Sequence, residues 1–294
     1  MSEASQALHK IARGTGIIFA GTVISMFFGF LSRAMIAREF SKAEYGIFNL
    51  ALTVLSIGLV IATLGFQNAL PREVAFYREK EPGKVDRLIS TAIAITAVSA
   101  VITALLIFFL AGDISLIFRE ERLVSALRVI VLALPFSALT AVIISASRGF
   151  GRVREQVYFQ NILYPITWLV LVASIVIIGL PFNSMFYAYS LAQLLTFSAL
   201  LFETYRIGLL RVRARVDIEL GKHLVAFSIP LMLVGILNFM MTWTDTLMLG
   251  YYLGSEVVGV YNAASPLARL IPVFLGSAGM LYAPIVTPLY AQGR

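Results

Sequence analysis

Apolar residues run along this chain in long blocks at 14–37, 46–70, 88–112, 123–147, 157–180, 181–202, 224–249 and 257–282, separated by short polar stretches. A helix needs about 20 residues to cross a hydrocarbon core of about 30 Å, so each block is long enough to span a bilayer. Runs such as Ile93-Ala94-Ile95-Thr96-Ala97-Val98 lack the apolar/polar alternation that strands of a membrane barrel require. The pattern therefore predicts an all-α integral membrane protein with eight transmembrane helices, each satisfying its backbone hydrogen bonds internally.

The blocks repeat. Tyr45-Gly46-Ile47-Phe48-Asn49-Leu50-Ala51 returns 213 residues later as Val258-Gly259-Val260-Tyr261-Asn262-Ala263-Ala264. At the same offset Pro71 falls on Pro284, Arg33 on Thr246 and Ser32 on Asp245. This is the signature of a chain built from related lobes, a common plan among transporters. Residues 1–204 form a first six-helix lobe, 205–221 a basic linker, and 222–294 the first two helices of a second, repeated lobe. An equivalent second lobe calls for about four further spans, so the sequence reads as a piece of a longer protein. The alternative is a complete eight-helix chain whose last pair packs on the first six or on a second copy.

Polar punctuation agrees with these boundaries. Ser41-Lys42-Ala43-Glu44 has the capping-box spacing ahead of the second span, and Ser255 stands where it can cap the eighth. Gly46 and Gly259 either start helices or let packed helices approach closely. Pro135, Pro165, Pro230, Pro266 and Pro272 lie within spans, where each removes a helix hydrogen bond and favours a kink. The pair Pro266 and Pro272 brackets Arg269, so the eighth span is expected to bend there.

Composition sharpens the class. Hydrophobic residues make up 59% and charged residues 13%, against about 45–50% and about 25% in soluble domains. The absence of cysteine removes disulfides, thiolate chemistry and cysteine metal sites. The first block is too long for a signal-peptide core and reads as an uncleaved helix. Fifteen lysines and arginines fall in alternate connections, namely Lys10, Arg13, Arg72, Arg78, Lys80, Lys84, Arg87, Arg148, Arg152, Arg154, Arg206, Arg211, Arg213, Arg215 and Lys222. The opposite connections hold only Arg38, Lys42, Arg119 and Arg122. The positive-inside rule then places the amino terminus in the cytoplasm of a multi-pass cell-membrane protein. The net charge of +7 mostly reflects that topology. Anionic lipid head groups are its natural partner; nucleic acid is not, since no aromatic platform or groove-reading fold accompanies the basic residues.

Phe40-Ser41-Lys42-Ala43-Glu44-Tyr45-Gly46-Ile47-Phe48-Asn49, the run Thr244-Asp245-Thr246-Leu247-Met248-Leu249-Gly250-Tyr251-Tyr252-Leu253-Gly254 and the repeat Gly259-Val260-Tyr261-Asn262-Ala263-Ala264 resemble the polysaccharide biosynthesis, or oligosaccharide flippase, family. That family belongs to the superfamily of multidrug, oligosaccharidyl-lipid and polysaccharide exporters. The resemblance implies two six-helix lobes around a central cavity and alternating access that carries a polyprenyl-phosphate-linked or polyprenyl-pyrophosphate-linked glycan to the outer leaflet. An ion-coupled multidrug antiporter of the same superfamily is the alternative. A chain ending after the eighth span departs from the family pattern and puts a closed cavity in doubt.

Charges inside the spans carry the residue-level case. Arg33, Arg128, Arg269 and Asp245 each cost about 2.5–3.5 kcal/mol at a helix centre facing lipid. Arg33 and Arg128 sit near helix ends and can snorkel, whereas Arg269 lies near the middle of the predicted eighth span and requires a wet cavity or a carboxylate such as Asp245. Three arginines and one aspartate make a positive vestibule suited to phosphate, whose oxygens guanidinium groups grip with paired hydrogen bonds. Asn68, Gln193 and Asn238, with Gln67, Asn161 and Tyr164, are candidates to line a sugar path, or to form interhelical hydrogen bonds. Asp245 is the candidate for a coupling cation or proton. His9 and His223 stand at separate helix ends, which argues against an enzyme. No metal or cofactor is called for.

Overall fold

The computed structural model describes residues 3–209 and 216–268. Among them are ten α-helices and no strand: α1 (Glu3–Glu39), α2 (Lys42–Thr63), α3 (Phe66–Lys80), α4 (Pro82–Phe118), α5 (Arg122–Ile130), α6 (Leu134–Gly149), α7 (Tyr164–Ile178), α8 (Ser184–Arg206), α9 (Ile218–Leu253) and α10 (Ser255–Ala268). Seven helical segments among the described residues are long and apolar enough to cross a membrane: Gly16–Glu39, Lys42–Lys80, Pro82–Phe118, Arg122–Gly149, Gln156–Ile178, Ser184–Arg206 and Ile218–Leu253. The chain is a multi-pass membrane protein. Of the predicted eighth span, 257–282, only the part up to Ala268 is described, so seven of the eight expected spans are seen.

Three spans are less regular than their apolar blocks suggest. The second breaks where Leu64 and Gly65 both take left-handed backbone conformations, φ 49° and 76°, and α3 restarts at Phe66. Gly65 is needed there, because a Cβ would lie 2.6 Å from the Ser228 carbonyl oxygen and 2.8 Å from the Met232 nitrogen of α9. The fourth span divides into α5 and α6 around a 3₁₀ turn at Val131–Ala133. Pro135 follows directly, and its missing N–H leaves the Val131 carbonyl without an α-helical donor; the Leu134 N–H takes that carbonyl instead. The fifth opens with a π-helical stretch, Gln156–Leu163, just before Pro165, a wider winding that accommodates the proline. Pro230, by contrast, lies inside the continuous α9.

The Ser41 capping box forms as expected, with Glu44 N–H donating to Ser41 Oγ at 3.3 Å and Ser41 N–H to Glu44 Oε2 at 3.0 Å. Ser255 does not cap its helix. It is the first residue of α10, and its hydroxyl donates to Glu120 Oε2 at 2.7 Å.

Contacts define two ends of the bundle. At one, Asp217 N–H donates to Thr91 Oγ1 at 2.9 Å, Arg87 lies 3.6 Å from Asp217, and His223 Nδ1 is 3.7 Å from the buried Glu73. At the other, Phe40 packs edge-on against Phe182, and the start of α10 meets Lys42 and Glu120. A larger core at the second end joins α2, α4, α5, α7 and α8 with Val258 of α10. A smaller one at the first joins α3, α4, α6 and Leu224 of α9. Lipid tails are as apolar as these side chains, so close packing and interhelical hydrogen bonds, not expulsion from water, hold the helices together. Gly250 illustrates this: a Cβ there would come within 2.6 Å of Leu50 and 3.1 Å of Phe118.

The repeat is visible in the helices. The α10 helix begins at Ser255, 213 residues after α2 begins at Lys42. Asn49 and Asn262, equivalent by the repeat, each donate to the carbonyl four residues back, Tyr45 at 2.7 Å and Val258 at 3.0 Å.

Candidate functional site

A polar cluster sits where α7 and α8 meet, beside α2. Tyr164 on α7 and Tyr189 on α8 pack edge to face with centroids 6.3 Å apart. One turn along α8, Gln193 Nε2 donates to the Tyr189 hydroxyl at 3.3 Å. Trp168, one turn along α7, lies 5.6 Å from the Tyr189 ring and stacks on Phe48 of α2 at 5.7 Å and 5°. These aromatic walls hold the phenols in place. Tyr45, in the first turn of α2, belongs to the same core: the residue is 2% exposed and its hydroxyl has no hydrogen-bond partner.

Arg33 is exposed on α1, the helix that packs along α7 and its π-helical lead-in. The α7–α8 arrangement thus offers two phenol hydroxyls and an amide, a set suited to a hydroxyl-rich ligand, with the Arg33 guanidinium on the neighbouring α1. It brings Gln193, singled out by sequence, close to Tyr164, noted only as a polar residue. Tyr45 and Tyr189 are additional. Their signal was present: Tyr189 and Gln193 stand four apart on one face of a span, and Tyr45 heads the repeated tract.

The other candidates lie elsewhere. Arg128 stacks over the Phe108 ring of α4 at 5.4 Å, on an exposed flank of α5. Asp245, exposed on α9, accepts a hydrogen bond from the Tyr261 hydroxyl of α10. Beside it Asn262 Nδ2 donates to Thr246 Oγ1 at 3.4 Å. Asn238 is exposed, and its carbonyl accepts from Thr242 Oγ1 at 2.8 Å. Asn68 is exposed one turn after the α2–α3 break, its N–H donating to the Gly65 carbonyl at 3.0 Å. The Asn161 side chain lies against Gly21 of α1. Arg269 and Pro272 lie outside the described residues, as do Pro284 and Arg211, Arg213 and Arg215 of the linker.

A family model described as polysaccharide biosynthesis protein matches residues 11–287. The chain belongs to that family. Its fold is that of the superfamily of multidrug, oligosaccharidyl-lipid and polysaccharide (MOP) exporters. An inward-facing multidrug resistance MATE family transporter aligns at 16% identity over 86% of this chain and 60% of its own, with a TM-score of 0.65. A mutant of a Vibrio cholerae MATE transporter aligns at 15% identity over 94% of this chain and 68% of its own, TM-score 0.67. A MOP superfamily transporter from Pyrococcus furiosus, described as having a binding pocket of reverse polarity that suggests a different function, aligns at 16% over 90% and 67%, TM-score 0.59. The chain thus spans about two thirds or less of the length of these transporters, and the likeness is one of fold. No curated protein matches the chain.

Proposed function

We propose that this polysaccharide biosynthesis family member is a transporter, not an enzyme, that flips a lipid-linked oligosaccharide or polysaccharide precursor across the cell membrane by alternating access. The observation that supports this reading is Arg33, a guanidinium on α1, the helix that packs along α7, whose Tyr164 lies with Tyr189 and Gln193 of α8. A phosphate linkage satisfies the guanidinium and sugar hydroxyls satisfy the phenols and the amide. In this reading Arg128 and Arg269 add positive charge along the path, and Asn68 and Asn238 line it.

The lobe division follows the repeat, with 1–204 as the first lobe, 205–221 as the linker and 222–294 as the start of the second. Basic residues near Arg72–Arg87, Arg148–Arg154 and Lys222 share one end of the bundle, which supports a cytoplasmic amino terminus. Membrane lipids surround the spans, and the substrate carries a polyprenyl phosphate or pyrophosphate.

An ion-coupled multidrug antiporter is the second reading. The Asp245–Tyr261 pair favours it, because a carboxylate exposed within a span offers a cation or proton site. Export decides between them. Arg33→Ala and Arg269→Ala are expected to stop export of lipid-linked glycan in cells with membrane insertion intact. Normal glycan export by both, or drug efflux that tracks Asp245 with no glycan phenotype, would reject the flippase.

A further inference from the structure

The α3–α6 junction holds a guanidinium that none of the roles above accounts for. Pro71 has no N–H for the Gln67 carbonyl four residues before it, so that oxygen loses its helix partner. Two α6 side chains supply replacements: Ser145 Oγ donates to it at 2.8 Å and Arg148 Nη2 at 2.7 Å. A hydroxyl alone is enough to satisfy a carbonyl. Arg148 is therefore surplus to that task, and a carbonyl does nothing to neutralise its charge.

The surroundings make the surplus more pointed. Arg148 is only partly exposed, its Nε is buried with no partner, and among the described residues it makes no ion pair. A Cβ on its neighbour Gly149 would come within 2.5 Å of Val74 and 3.1 Å of the Pro71 carbonyl oxygen, so the glycine lets the end of α6 lie close against α3. From Arg72 onward α3 turns polar, with Arg72, Glu73, Arg78, Glu79 and Lys80. Gln67 to Pro71 thus lies where apolar span gives way to the head-group layer, the depth of a lipid phosphate. A half-buried guanidinium held only by a carbonyl keeps an uncompensated charge, which an anion would complete.

We propose that Arg148 receives the phosphate or diphosphate of the lipid-linked substrate at the membrane surface, and that the anion draws it off the Gln67 carbonyl while Ser145 keeps that oxygen bonded. This rests on the flippase reading and adds to it a site apart from the Arg33 cluster. It also links substrate arrival to the contact between α6 and α3, which the departing arginine loosens just beyond the Leu64–Gly65 break. The phosphate of a bulk anionic lipid carries the same chemistry, so the test separates the two sources.

The test is titration calorimetry of the purified full chain with farnesyl diphosphate, and with farnesol as the uncharged control. Arg148→Gln is expected to weaken diphosphate binding about 10–100-fold, the effect of losing charge-assisted hydrogen bonds. Arg148→Lys, which keeps the charge and loses the paired donors, should give a smaller loss and covers the case of a misfolded Gln variant. Ser145→Ala should weaken binding several-fold, because Arg148 is then the sole donor to Gln67. Adding Pro71→Ala should restore the affinity by returning the N–H, a rescue that a simple surface charge would not show. Equal binding by wild type and both Arg148 variants overturns the proposal. So does equal competition by phosphatidylglycerol in mixed micelles, which assigns the site to bulk lipid. Loss of binding in Arg33→Ala alone likewise removes Arg148 but leaves the flippase reading standing. Normal glycan export in cells lacking the chain rejects that reading, whatever Arg148 binds.

Discussion

Gly46 and Gly259 meet face to face where α2 crosses α10. A Cβ added to Gly46 would overlap the Ser255 carbonyl and lie 3.1 Å from the Gly259 nitrogen; one added to Gly259 would overlap the Lys42 carbonyl and lie 3.1 Å from the Gly46 nitrogen. Lys42 and Ser255 are themselves 213 residues apart, as are the two glycines. The contact is therefore reciprocal, each repeat presenting the same backbone surface to the other, as in a two-fold interface between subunits.

Gly46→Ala or Gly259→Ala should force the helices apart, since backbone rather than a pliant side chain is in the way. The expected cost is about 1–3 kcal/mol, the range for overpacking, read as a lower unfolding temperature in detergent. Because the contact is shared, the double variant should cost clearly less than the sum of the two. Additive costs would show that the glycines do not face one another.

Tyr45→Phe should stabilise the ligand-free protein and impair transport. The Tyr45 hydroxyl is buried without a partner, and such a group costs about 1–3 kcal/mol, so deleting it should raise the unfolding temperature. If the phenol serves substrate, flux should fall several-fold in the same variant. A variant that is less stable than wild type contradicts the buried, unbonded hydroxyl.

Pro71 and Ser145 should be energetically coupled. Ser145→Ala removes a donor to the Gln67 carbonyl and is expected to cost about 1 kcal/mol. In a Pro71→Ala background the helix regains its own N–H, and the same substitution should be nearly neutral. Denaturation of the four proteins in mixed micelles gives the coupling directly; a coupling near zero would separate Ser145 from the proline.

The seven described spans stand where the apolar blocks put them, because an uninterrupted block of that length has few other ways to satisfy its backbone in lipid. The breaks were harder to read. Pro135 and Pro165 mark the 3₁₀ turn and the π-helical stretch, but Leu64 adopts a left-handed conformation with nothing in its side chain to announce it. At the site, charges in spans stand out because they are rare, whereas their partners do not. Arg128 meets Phe108 from another helix, Asp245 meets Tyr261 sixteen residues on, and Ser255 meets Glu120 across the bundle. Those meetings come from how helices cross, which periodicity along one helix does not encode.

Asp245 and Tyr261 separate charge from hydrogen bonding. Asp245→Asn keeps an acceptor for the Tyr261 hydroxyl but removes the charge, whereas Tyr261→Phe keeps the charge and removes the donor. If Asp245 binds the coupling cation or proton, flux of lipid-linked glycan in proteoliposomes should lose its response to an imposed gradient in Asp245→Asn. Tyr261→Phe should keep that response with a modest loss of rate, because a neutral hydrogen bond is worth about 1 kcal/mol. A merely structural pair predicts the opposite order, with Tyr261→Phe the more damaging because, of the two variants, it alone breaks the hydrogen bond between residues 245 and 261. Gradient-driven flux in Asp245→Asn equal to wild type would remove the carboxylate from coupling.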